Sequence, residues 1–357
     1  MRSFTYSNPP LSQVLMLTLL PLVLFAPLPV LPQDSAPAAV LASPAEDVVL
    51  GTGANRYRWA PDWLQVPDGM ELGNTHGCVA VDSKGRVFFN TDSEHAIVIA
   101  RPDGTIETSW GKEWAGGLHG MTLVQEGKEE FLYLAHTGRH EVAKTTLLGE
   151  VVWTLPWPEI SGKYESAGQY KPTAIVTGPG GEIFIADGYG QSWIHRYSKD
   201  RAYLGSFGGL GAEPGKMRTP HGLLMELGGE EPYLVVCDRE NHRLQRFAMD
   251  GKLVRVEVPS LRRPCNGVIT PHGMAVADLA GRVTLLGLDE EGERVVLAQL
   301  GDNPDPKKRA QNGVPREQWA DGEFLSPHGI GADAAGNLYV LDWNRNGRIT
   351  KLERVVD

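Results

Sequence analysis

Lys171 to Ser198 reads KPTAIVTGPGGEIFIADGYGQSWIHRYS, and its punctuation decides the fold. A Pro turn leads into a short β-run, a Gly turn reverses the chain into a second β-run, and polar residues then precede a third strand. Thr75 onward (THGCVAVDSKGRVFFNTD) and Pro327 onward (PHGIGADAAGNLYVLDWNRNGRITKLE) repeat the pattern. Six copies are legible, anchored at His76, His119, Thr173, His221, His272 and His328, roughly one every 50 residues. A sheet of three or four strands cannot bury both faces alone, so repeats of this length stack radially as propeller blades. The expectation is an all-β, six-bladed β-propeller. A seventh blade could hide in the long connection from Asp302 to Leu325.

Forty-two Gly and 25 Pro among 357 residues fit many short strands and turns. Closing the ring calls for a strand from the other terminus, and Tyr57 to Leu64 (YRWAPDWL) is placed to complete the last blade. Asp187, Asp238 and Asp342 each close a second strand, where a short carboxylate holds a turn more readily than it performs chemistry.

The formal charge of −10 comes without a basic block, so neither nucleic acid nor an anionic membrane finds the positive patch it needs. Val14 to Val30 is an almost unbroken apolar stretch broken by Pro21, Pro27 and Pro29, and Ala36-Pro37-Ala38 supplies a small-x-small cleavage pattern. The reading is a signal peptide over 1–38, a flexible leader over 39–54 and the propeller over 55–357, with a periplasmic or secreted destination, no lipid anchor and a monomeric state. A retained N-terminal anchor is the alternative. Cys78, Cys237 and Cys265 allow at most one disulfide and show no metal-ligand spacing.

Five of the six copies open with His-Gly, at His76, His119, His221, His272 and His328, whereas the third has Pro172-Thr173. Rotation about the propeller axis brings equivalent positions together, so these imidazoles should converge at one end of the channel. Three neutral imidazoles with an open fourth position describe a catalytic zinc site. The alternative is a turn device copied with the repeat. His95, His195 and His242 fall on turns or outer strands, and His136 replaces a turn Asp with a chance of facing the channel mouth; His140 lies in the same blade.

The copies resemble NHL-type repeats, whose Asn-His-Leu triplet is nearly reproduced at Asn241-His242-Arg243-Leu244, over residues about 57 to 355. In the third and fourth blades, ADGYGQSWIHRYS, PGKMRTPHGLLM and VCDRENHRLQRF look like the lyase domain of the peptide-amidating enzymes, peptidylglycine α-hydroxyglycine α-amidating lyase. That resemblance implies zinc held by His119 in LHGMTL, His221 in TPHGLL and His328 in SPHGIG. It also implies a catalytic tyrosine at Tyr189 and an active-site arginine at Arg239. Without it, Tyr189 would read as an aromatic between blades and Arg239 as a salt-bridge partner of a turn Asp. The implied reaction cleaves a carbinolamide, such as a C-terminal α-hydroxyglycine, to an amide and glyoxylate, so the partner is a small molecule or a peptide C-terminus.

Departures from the family are specific. Its first-blade arginine aligns near Thr91, the Met two residues before its last zinc histidine is Ser326, and its disulfide partner after the tyrosine is Gly190. Its calcium ligand is Gly329 here, so calcium is not carried over. His76 and His272 are additions, which leave open another divalent transition metal with redox or hydrolytic chemistry. A non-catalytic binding propeller is the remaining alternative.

Overall fold

The structure, a computed structural model, describes residues 47–229, 231–257 and 261–356. The signal peptide read over 1–38 and the first part of the leader lie outside the described residues. Among the described residues there is no α-helix, and no helix is long and apolar enough to cross a membrane.

Six antiparallel sheets form six blades. Their first strands are Thr75–Val81, Leu118–Glu126, Ala174–Thr177, Pro220–Glu226, Pro264–Thr270 and Pro327–Ala332. Each packs against the first strands of both neighbours, round to the sixth against the first, so the ring is closed. Tyr57–Ala60 pairs antiparallel with Arg348–Arg354 and completes blade 6, Tyr57 opposite Arg354 and Ala60 opposite Lys351. The strand stops at Ala60, earlier than Leu64. Val49–Leu50, within the stretch read as leader, pairs with Tyr57 and Arg58 and adds a fifth strand to that blade.

Alternation along the strands points each blade's apolar residues at its neighbours, and a separate buried cluster fills every junction. Phe88, Ile97 and Leu132 lie between blades 1 and 2; Phe184, Leu234 and Phe247 between 3 and 4; Trp59, Val283 and Phe324 between 5 and 6. The Asp302–Leu325 connection builds no seventh blade. It contributes Phe324, whose ring lies 4.9 Å from that of Trp59.

The aspartates that close second strands do hold turns. Asp238 accepts from the Arg218 N–H and from Arg243 Nε, and Asp342 accepts from the Leu325 and Ser326 N–H groups. Each ties the loop entering its blade to the blade's second strand. His136 takes over the task in blade 2, with Nε2 against the Trp114 carbonyl and Nδ1 accepting from the Arg139 N–H. It is buried in its turn, and burial lowers its pKa to about 4.

Candidate metal centre

The first strand of each blade begins at the axis, and at that end His119, His221 and His328 are each 2% exposed. Their ring centroids are 4.7 Å apart for His119 and His221, 4.9 Å for His119 and His328, and 4.6 Å for His221 and His328. His76 is half-buried beside them, 4.8 Å from His119 and 4.6 Å from His328.

One device orients the three buried rings. Nδ1 of His119 donates to the Thr173 carbonyl at 2.9 Å, that of His221 to the Cys265 carbonyl at 2.8 Å, and that of His328 to the Gly77 carbonyl at 2.9 Å. The Gly77 N–H lies 3.3 Å from the same His328 nitrogen, but the shorter bond and the matching geometry at the other two rings select the Nδ1–H tautomer. Each bond crosses to the next blade. The glycine after each histidine is required by the same carbonyl: a Cβ on Gly120 would stand 2.7 Å from the Thr173 oxygen, on Gly222 2.5 Å from that of Cys265, and on Gly329 2.6 Å from that of Gly77. His-Gly is thus a seam motif in which glycine admits the neighbouring backbone and histidine bonds it.

With Nδ1 protonated, Nε2 of each ring is an acceptor, met by the Tyr189 hydroxyl at His119 and His221. Burial holds all three well below the ordinary imidazole range, and neighbouring imidazoles and Arg239 add to the effect. His328 Nε2 is buried without a hydrogen-bond partner. An orphaned buried acceptor among neutral imidazoles fits a divalent cation. Among the described residues, two sets of donor atoms each lie within 4.8 Å of one another, His76 with His119 and His328, and His221 with Cys265 and His328.

Tyr189 stands between the rings. Its hydroxyl is 3.2 Å from His119 Nε2 and 3.0 Å from His221 Nε2, and it accepts from Arg239 Nη1 at 3.2 Å. Burial pushes the phenol up to about 12, against the pull of Arg239. Above them a cavity of about 330 Å³ is lined by His76, Tyr189, Arg239, Arg263, Leu279, His328 and Trp343. A larger space, about 430 Å³, lies along the channel toward the other ends of the first strands, lined mainly by apolar residues such as Val79, Met121 and Leu224.

His272 is elsewhere, which corrects the expected five-histidine ring to four. It lies exposed in the turn between the first two strands of blade 5, where Thr270 pairs with Gly273. Pro264, at the axial end, pairs with Asp278, so a strand length of about 20 Å separates the two ends. The ring position of blade 5 belongs to Cys265, which the sequence reading missed. Pro264-Cys265-Asn266-Gly267 parallels Pro220-His221-Gly222 with one residue inserted, and Asp278 marks the end of the second strand as Asp238 does. Cys265 is buried and free, and burial raises its thiol to about 12. Thr173 fills the third position and donates to the Pro220 carbonyl at 3.0 Å. His195 is buried between Tyr164 and Ser206, and His95 bonds Ser109.

A closed six-bladed propeller whose axis ends in four histidines, a tyrosine and an arginine defines a class, and comparison with known proteins narrows it. No family model matches the chain. A probable peptidyl-alpha-hydroxyglycine alpha-amidating lyase of Caenorhabditis elegans is 26% identical over 202 residues, covering 50% of this chain and 55% of that protein. Peptidyl-alpha-hydroxyglycine alpha-amidating lyase 1 of Drosophila melanogaster is 25% identical over 282 residues, 70% of this chain and 47% of that protein. The chain therefore spans about half the length of these relatives. A streptogramin B lyase structure superposes with a TM-score of 0.54 at 16% identity, covering 83% of this chain and 97% of that one. The Kuenenia stuttgartiensis hydrazine synthase gives 0.51 at 13%, covering 82% and 100%. These structures share the fold; the resemblance to amidating lyases is carried by sequence at modest identity.

Proposed function

We propose that the protein is a metal-dependent lyase that cleaves a carbinolamide, such as a C-terminal α-hydroxyglycine, to an amide and glyoxylate. The observation that carries this reading is Tyr189, whose hydroxyl lies within 3.2 Å of two imidazole nitrogens and of the Arg239 guanidinium. Held against the Arg239 guanidinium and facing the histidines that would hold a cation, the phenol stands where positive charge lowers its pKa toward that of a working base.

By the resemblance to the amidating lyases, His119, His221 and His328, with ring centroids 4.6 to 4.9 Å apart, would hold the metal, zinc being the ion that a set of neutral imidazoles suits. When bound, such an ion supplies Lewis acidity that acidifies the tyrosine and a substrate hydroxyl. The phenolate of Tyr189, favoured by Arg239, takes the proton of the substrate hydroxyl. As the C–O bond becomes a carbonyl, the C–N bond breaks with its electron pair going to nitrogen. Tyr189 returns the proton to that nitrogen, leaving a primary amide and glyoxylate. Unperturbed tyrosine titrates near 10, and burial alone moves this one the wrong way, so the arrangement depends on the cations around it.

Tyr189→Phe is the direct test. In protein carrying its metal, glyoxylate release should fall about 10²- to 10⁴-fold while metal content stays unchanged. Full activity in that variant would contradict the reading. A second reading, a multi-histidine metalloprotein with redox or hydrolytic chemistry, is favoured by the donors His76 and Cys265 that the lyase does not need. The apolar stretch Val14 to Val30 and Ala36-Pro37-Ala38 support export of the chain to the periplasm or beyond.

A further inference from the structure

The cavity over the histidines is walled by two guanidiniums, and the mechanism uses one. Arg239 is committed, with Nη1 on the Tyr189 hydroxyl and Nε on Glu240 at 2.8 Å. Arg263, immediately before the first strand of blade 5, lines the same cavity with its side chain one-third exposed. Its single side-chain bond among the described residues runs from Nη2 to Glu240 Oε1 at 2.7 Å, and its Nε has no partner.

Its root is fixed. The backbone of Arg263 is left-handed, with φ of 60°, a region that costs a branched or long side chain energy and persists where surroundings impose it. The Arg263 carbonyl accepts from the Leu279 N–H at 3.0 Å, and its own N–H faces His242 Nδ1 at 3.3 Å. Glu240 lies between Arg239 and Arg263 and balances one of their two charges. One positive charge is left over beside the tyrosine, which suits a monoanion.

Among the described residues, the cavity lining holds no arginine or lysine besides Arg239 and Arg263. Thr91, where the amidating lyases' first-blade arginine would align, is buried and donates its hydroxyl to the His95 carbonyl. His76 in that lining faces Asp92 at 3.6 Å.

We propose that Arg263 binds the carboxylate of the substrate through the guanidinium donors that Glu240 leaves unspent, with Glu240 as its resting counter-ion. This rests on the lyase reading, whose substrate and product both carry a carboxylate next to the reacting carbon. A planar guanidinium with unspent donors matches that group bidentately, and its loss leaves the carboxylate unpaired at the cavity wall.

The test uses metal-loaded protein and two readouts. Binding of glyoxylate, followed by calorimetry, should weaken on the order of 10- to 100-fold in Arg263→Gln, with an intermediate loss in Arg263→Lys, which keeps the charge without the fork. In turnover, KM for the free α-hydroxyglycine acid should rise by a similar factor with kcat nearly retained, while the methyl ester of the same substrate is affected little. If wild type releases no glyoxylate from any substrate but binds it in an Arg263-dependent way, the lyase reading fails and the carboxylate site stands. Unchanged glyoxylate affinity in both variants, or no glyoxylate binding by wild type, would overturn the proposal.

Discussion

His328 donates through Nδ1 to the carbonyl of Gly77 at 2.9 Å, across the seam where the last blade meets the first. The bond closes the ring and also sets the tautomer of a histidine whose Nε2 is buried without a partner. Blade-to-blade packing and site assembly therefore share the same bonds, repeated at the Thr173 and Cys265 carbonyls of two other seams.

That coupling predicts the effect of a methyl group. Gly222→Ala would set a Cβ 2.5 Å from the Cys265 oxygen and push it off His221. Metal affinity should drop about 10- to 100-fold with little loss of secondary structure, measured by chelator competition and circular dichroism.

The histidines should separate by position. His119→Ala, His221→Ala and His328→Ala should each strip the metal, whereas His272→Ala, in its exposed turn, should keep full stoichiometry by elemental analysis. Loss of metal in the His272 variant would return that residue to the site.

The pH profile should report Arg239. Its charge favours the Tyr189 phenolate, so Arg239→Gln raises the pKa of the base. A base works only when deprotonated, so the rising limb of kcat/KM should move to higher pH and activity at neutrality should fall.

Stability should fall in acid through His195 and His136, lowered by burial to about 3 and about 4. The unfolded chain protonates these residues near 6.5, so between there and the folded values it binds more protons and gains on the native state. Melting temperature should be level above about 6.5 and decline below it. His136→Asn, which keeps a donor and an acceptor, should flatten part of that decline.

Blade closure has its own test in Trp59, 4% exposed and packed against Phe324. Trp59→Ala should cost about 3–5 kcal/mol by urea denaturation, because it empties the junction of blades 5 and 6 beneath the closing strand.

Most of the blade count was legible because the copies share punctuation: Gly at the hairpin throughout, Pro at entry in blades 3 to 6, and an Asp after the second strand in all but blade 2, where His136 stands. Blade 5 misled because His272-Gly273 imitates an entry motif while opening a second strand, and because Cys265-Asn266 hides the true one. The clustering of His119, His221 and His328 with Tyr189 and Arg239 followed from rotational symmetry and the family resemblance. Arg263 could not be reached that way, since its place depends on a left-handed backbone and on Glu240, neither of which periodicity encodes. The link of each glycine to the carbonyl that orients the preceding histidine also needed coordinates.

The most direct measurement is product release by zinc-loaded wild type from an α-hydroxyhippurate-type substrate, with metal content determined on the same sample. Glyoxylate and the amide should appear in equal amounts, at a rate lost on chelation and cut about 10²- to 10⁴-fold by Tyr189→Phe. Full zinc occupancy at the histidines with no glyoxylate released would contradict it.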